Sequence, residues 1–182
     1  MTAGGDQMLV APREVHDLVF RCARIAGLDA GAAERAGRNV TYSEVYFGAA
    51  VATFASALED PQRLEAEYGT GPDALVLAEV EARAKGIGSA VFATGVPLAA
   101  LASGIADITG RGLGVDGVPA GATAATLVDT LQVGGPVIPA DDAAGARAAR
   151  EGLVVDRAAF GALAEAARAF LVSEATLDGI ED

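Results

Sequence analysis

A chain of 182 residues is most simply one domain, and its 52% of apolar residues suffice for a core, although aromatics are only 5% and alanine supplies much of the rest. The formal charge of −12 argues strongly against nucleic acid, whose phosphates need Lys and Arg to displace their counterions, and disfavours anionic membrane surfaces. One cysteine and one histidine exclude an internal disulfide, a cysteine-based zinc cluster and a His-rich metal site.

The leading MTAGGDQM has neither the basic start nor the apolar core of a secretory signal, and no apolar run approaches the ~20 residues of a membrane helix. A cytoplasmic protein is therefore expected. Residues 1–10 read as a disordered tail and 11–182 as a single α/β domain. A first helix is expected from Pro12, with Val15, Leu18, Val19, Cys22 and Ile25 at helical spacing and Glu14 near its positive end. Gly27 ends it, and Asp29 offers an oxygen to the free amides of a second helix running from about Ala30 towards Leu58. Asn39 to Ser43 is a weak helix-forming patch expected to bend or split that helix. Together these form a helical hairpin over 11–60, whose small residues Gly48, Ala49 and Ala50 suit close contact in a symmetric homo-oligomer.

From about residue 70 the chain alternates short apolar runs with glycine. Strands are expected at Ser89–Ala93, Gly112–Val118, Gln132–Ile138 and Leu153–Val155. Helices are expected at Pro97–Ile108, Thr123–Leu131, a short stretch from Asp141, and Arg157–Leu171 behind an Asp156 cap. Strands alternating with helices over 70–172 predict a mixed or parallel sheet with covering helices.

Few residues carry chemistry. Gly112-Leu-Gly-Val-Asp-Gly117 matches a dinucleotide fingerprint, with Asp141 beyond a later strand, but it follows a helix where the motif must leave a strand, so it reads as a loop and no cofactor is expected. His16 and Cys22 do not share one helical face and make no nucleophile–base pair. Lys85, the one lysine, sits in a segment Glu79–Lys85 that reads as exposed and charged. Arg35 and Arg38, three apart, could bind a carboxylate. Tyr42 and Tyr46 lie one turn apart and could orient a small substrate, with Glu44 as general base. The candidate site therefore joins catalytic Glu44, Tyr42 and Tyr46 to Arg38 and to the glycine turns at Gly95, Gly112 and Gly114, whose amides can approach an anion. The expected function is an enzyme or binding protein for a small organic acid, amino or keto, without bound redox cofactor or metal. The alternative is a non-catalytic assembly partner of a metabolic enzyme.

Ala23-Arg24-Ile25-Ala26-Gly27-Leu28, with Gly31, Ala33-Glu34 and Ala36-Gly37-Arg38 behind it, resembles the opening signature of an uncharacterised bacterial family, a domain of unknown function. Val155-Asp156 and the run from Phe170 to Ala175 resemble its closing helix and Ser-Glu-Ala ending. Ile25 and Ala30 stand where that family would have a glycine and an aromatic, and its basic, glycine-rich tail is missing. The resemblance implies no reaction. The N-terminal helices are also similar to the start of the malate/L-lactate dehydrogenases that lack a Rossmann fold. There a Ser-His-Gly follows the helix pair and its histidine moves a proton; here Tyr46-Phe47-Gly48 holds the place, and phenylalanine cannot.

Overall fold

A computed structural model describes residues 6–138 and 142–170. Strand β1 (Gln7–Val10) leads into helices α1 (Pro12–Ile25), α2 (Ala30–Tyr46), α3 (Ala50–Ala57) and α4 (Pro61–Leu64). A π-helical turn, Glu65–Thr70, passes into α5 (Gly71–Lys85). Strand β2 (Ile87–Pro97) and a 3-10 turn lead to α6 (Ala102–Gly110), β3 (Val115–Asp116) and β4 (Leu127–Gly134). Helix α7 (Ala143–Glu151), β5 (Leu153–Asp156) and α8 (Arg157–Ala166) close the described chain, with a 3-10 turn at Ala167–Phe170. Asp141, Leu171 and the Ser-Glu-Ala ending lie outside the described residues.

The chain is mixed α/β, and local chemistry explains its N-terminal half. The Ala11 amide donates to Glu14 Oε2 at 2.7 Å as α1 begins at Pro12. Gly27, at φ 105°, ends that helix, and the Leu28 amide reaches back to the Ala23 carbonyl at 3.0 Å. Asp29 Oδ1 accepts the Ala32 amide at 2.8 Å and starts α2. Helix α1 then packs along α2, with Val15, Val19, Ala33, Ala36 and Val40 buried.

The second helix does not run to Leu58, nor is it split at 39–43. It stops at Tyr46, because Gly48 and Ala49 both take left-handed conformations, at φ 67° and 59°. Glu44 then caps α3, accepting the Ala49 and Val51 amides at 3.2 and 2.8 Å. Gly48 and Ala49 are thus spent in a turn, and Ala50 is buried in the chain's own core.

The sheets differ from expectation too. Every described pairing is antiparallel: β1 with β5, and β2-β4-β3 in a separate three-stranded sheet. The β1–β5 ribbon is the pairing that local patterning could not show, since it joins the two ends of the chain. Gln7–Val10, part of the expected disordered tail, is therefore a strand, and Arg157 clasps it through Asp6 at 2.8 Å. Thr123–Leu131 is not a helix. Thr123 and Thr126 close a turn, after which Val128, Leu131 and Val133 bury one side of β4.

Helix α5 lies on β2 so closely that a Cβ on Gly88 would stand 2.0 Å from the Ala78 carbonyl oxygen. Only glycine permits that approach. The central polar contact lies between α2 and α6. Asn39, 3% exposed, accepts through one oxygen the Ser103 amide at 2.9 Å, the Ser103 hydroxyl at 2.7 Å and the Gly104 amide at 3.4 Å. These amides belong to the first turn of α6, whose own N-cap, Leu101, has no side-chain oxygen. One turn further along α2, Ser43 donates to the Leu98 carbonyl at 3.3 Å.

Replacing Asn39 by Ala leaves buried donors of Ser103 and Gly104 without a partner, and the expected loss is about 2–3 kcal/mol in urea denaturation. Ser103→Ala removes only one of the donors and should cost about 1 kcal/mol or less. Equal, small effects from both would show that this contact does not hold the helices together.

Candidate functional site

Two neighbouring depressions open on the faces that α2 and α6 share. The first, about 120 Å³, lies between α2, α5 and α6 and is lined by Arg35, Arg38, Arg111, Glu79 and Asp107 over a floor of Leu75, Leu101 and Ile108. Helical spacing puts Arg35 and Arg38 on the α2 face next to Asn39. Arg111 leaves the end of α6 and meets Glu79 as a two-pronged pair, Nε to Oε1 at 2.8 Å and Nη2 to Oε2 at 2.5 Å. Arg83, one turn after Glu79 on α5, adds a bond at 2.7 Å. The Arg111 guanidinium first, and Arg83 after it, hold the Glu79 carboxyl at a pKa of about 2 despite its burial. Arg38 pairs with Asp107 at 2.6 Å. Arg35 donates to the Gly69 carbonyl at 2.7 Å and meets Asp73 at 3.2 Å, while its buried Nε has no partner among the described residues.

Glu79 was not legible as a site residue. Its segment, Glu79–Lys85, is mostly exposed as expected, but Glu79 itself is buried on the face that Leu75, Ala78 and Ala82 turn inward. The signal available was an i, i+4 Glu–Arg pair on an apolar face.

A groove of about 370 Å³ runs on from Arg38 along α2 and collects Tyr42, Tyr46, Thr41, His16 and Asp107. It passes into a wider depression of about 640 Å³, where Tyr42 and Tyr46 meet Phe47, Leu98 and Ile105. The two tyrosine rings stack at 4.3 Å between centroids. Tyr46 donates to Asp142 Oδ1 at 2.5 Å, and that hydrogen bond raises its pKa to about 12. Burial, then the charges of Asp142 and Asp107, raise that of Tyr42. Both phenols therefore stay protonated at neutral pH and serve as donors, not as bases.

The expected site is only partly assembled. Arg38, Tyr42 and Tyr46 share one groove. Glu44 lies apart, its carboxylate committed to the α3 amides; burial raises its pKa, and those amides oppose the rise. Gly95 marks a bulge in β2, beside Asp129 and Leu127. Gly112 ends α6, and Gly114 packs against the backbone of Gly134 and Pro136. None of these three glycines lines the arginine cleft or the tyrosine groove. The Gly112–Gly117 loop opens no helix and runs beside β4 through the short strand β3.

Three other polar groups are accounted for. Cys22 is buried, donates to the Leu163 carbonyl at 3.2 Å, and has its pKa pushed up to about 11 by burial, which makes it no nucleophile. His16 lies 3.2 Å from Glu34 and 3.5 Å from Asp17. Lys85 pairs with Glu81 at 2.9 Å on the surface. Among the described residues no three His, Cys, Asp or Glu side chains cluster around a metal-sized space, and no helix is long and apolar enough to cross a membrane.

Because the folded pKa of Glu79 lies below its unfolded value, its arginine pairs stabilise the fold fully above about pH 4.5. That contribution disappears as pH falls through about 2. Glu79→Gln should therefore lower the melting temperature at neutral pH and flatten its decline over the same acid range. A variant with an acid limb parallel to that of the unmodified chain would place the pH dependence elsewhere.

No protein-family model matches the chain, and neither a curated protein nor a solved structure is found to match it.

Proposed function

We propose that the chain binds a small organic acid in the cleft between α2, α5 and α6. The observation that carries this reading is the gathering of three guanidinium groups around one small depression in a chain whose net charge is −12. Guanidinium N–H pairs match the two oxygens of a carboxylate, and a partly enclosed site strengthens that match. Arg111 is fixed by Glu79 through Nε and Nη2, and among the described residues Nη1 is not engaged in that pair. Arg38, half exposed, can exchange Asp107 for a bound carboxylate. Leu75, Ile108 and Pro72 offer an apolar wall to a short carbon chain.

The depression of about 120 Å³ is well below the ~300–1,000 Å³ of drug-sized sites, so a ligand of two to four carbons fits best. The reading is one of binding rather than turnover. Glu79 is held ionised by two arginines and Asp107 is paired, which leaves no carboxylate poised as a general base in the cleft. A second reading, an assembly partner, is favoured by the apolar outer face of α5.

Titration calorimetry with a panel of two- to four-carbon mono- and dicarboxylates tests the proposal. At least one member should bind, and Arg38→Gln should weaken it by roughly tenfold, the order expected for a lost charge-assisted bond. Tyr46→Phe, outside the cleft, should leave affinity unchanged. If no acid in the panel binds, or if Arg38→Gln binds as well as the unmodified chain, the cleft is not an acid site.

A further inference from the structure

The wider depression beside Tyr42 and Tyr46 is separate from the arginine cleft, although α6 borders both. Ala102, Ile105, Ala106 and Thr109 follow one another at i, i+3, i+4 and i+7 and turn one face of α6 to the depression. Ser103, Asp107 and Ile108 lie round the helix and line the cleft instead. The depression holds about 640 Å³, within the ~300–1,000 Å³ of small-molecule sites. Leu98, Ile105 and Val118 make its wall apolar, and Tyr42, Tyr46 and Phe47 add three aromatic rings. Its polarity has one sign. Among the described residues that line it there is no Lys, Arg or His, and the one charged group is the Asp142 carboxylate. Tyr46 donates to Oδ1 of that carboxylate at 2.5 Å, which positions the charge without neutralising it. No Lys, Arg or His side chain among the described residues makes an ion pair with Asp142. Asp107, by contrast, is already matched by Arg38 in the adjoining groove.

From this combination we infer that the depression binds a small organic ammonium ion with an apolar body. The face of an aromatic ring is negative and attracts a cation, most strongly where water is partly excluded. The stacked tyrosines, with centroids 4.3 Å apart, leave each ring one outer face for such a contact. Tyr46 also anchors Asp142, so a full negative charge stands beside the same rings. Carboxylate and rings together hold the ammonium head, and its carbon body lies along Leu98, Ile105 and Val118. A carboxylate ligand would meet Asp142 with no cation in the wall to offset it, so this depression and the arginine cleft select opposite charges. The net charge of −12 draws cations to the surface in general, and the rings and apolar wall make this place specific. Occupation of the arginine cleft is not required.

Tyrosine fluorescence reads the site directly, because the chain has no tryptophan and two of its three tyrosines line the depression. Titration with hexyltrimethylammonium or hexylammonium should change that emission saturably in the millimolar range or below. Hexanol, with the same chain and no charge, should bind about tenfold more weakly, the order expected from a partly desolvated cation on aromatic rings. Hexanoate should not bind there. Asp142→Asn should weaken the ammonium by about tenfold and leave hexanol unchanged. Gly110→Lys serves as the second variant if Asp142→Asn disturbs α7. Gly110 lines the depression, and a Cβ added there meets nothing within 4 Å, so the cation should abolish ammonium binding with an unchanged circular-dichroism spectrum. Absence of a saturable response to both ammonium ions overturns the inference. So does hexanol or hexanoate binding as tightly as the ammonium, which would make the depression merely apolar. Full ammonium affinity in both Asp142→Asn and Gly110→Lys overturns it as well.

Discussion

One amide oxygen, that of Asn39, sets the relation between the two helices on which both depressions are built. Alanine and glycine dominate the α2 surface, and contacts of that size distinguish poorly between neighbouring helix registers. A buried oxygen with three donors distinguishes them sharply, because a shift of one residue would strand every donor. Ser43 repeats the device one turn later with the Leu98 carbonyl. Arg35, Arg38, Tyr42 and Tyr46, which follow one another along this face of α2, are therefore carried to fixed places against α6. The polar patch in the middle of α2 lowers local helix propensity and raises tertiary specificity.

The arginine cleft illustrates how an acidic chain can keep a positive corner. Three guanidinium groups so close would repel each other if left unpaired. Glu79 relieves this by accepting Arg111 and Arg83 together, and Asp107 and Asp73 serve Arg38 and Arg35. The pairs differ in kind. Glu79 is nearly buried and its bonds are bidentate, so it behaves as a fixed part of the wall. Arg38 and Asp107 are both about half exposed, and water competes for such a bond. The cleft therefore has one guanidinium held in a nearly buried pair and another in a pair open to water.

Features written locally were legible from the sequence. Asp29, Asp156 and Gly27 act through bonds to residues no more than about four positions away, and each does in the structure what its type and position suggest. The strand at Leu153 and the helix after Arg157 follow from alternation and capping in the same way. What escaped is non-local. Nothing near Gln7 announces that it pairs with Asp156, and alternating strands and helices fit antiparallel sheets as well as parallel ones. The weak helix formers from Asn39 to Ser43 read as a bend because their partners, Leu98 and Ser103, lie more than fifty residues on. Candidate residues divided along the same line. Arg38, Tyr42 and Tyr46 share a helix and so share a groove, whereas Gly95, Gly112 and Gly114 depended on a guess about where distant turns would fall. Glu79 needed Arg111, thirty-two residues away, to become recognisable.

Helix α5 ties these constraints together. Gly88 lets the β2 backbone rest directly on Ala78 and Ala82, so the helix can neither roll nor slide without a backbone clash. Glu79, adjacent to Ala78, is thereby presented to Arg111 at a fixed height, and the inward face is fully occupied by sheet and cleft. Rotation to bury Leu77 and Val80 would withdraw Glu79 from two arginines and drive the helix into β2. The outward apolar face is thus a consequence of the inward fit.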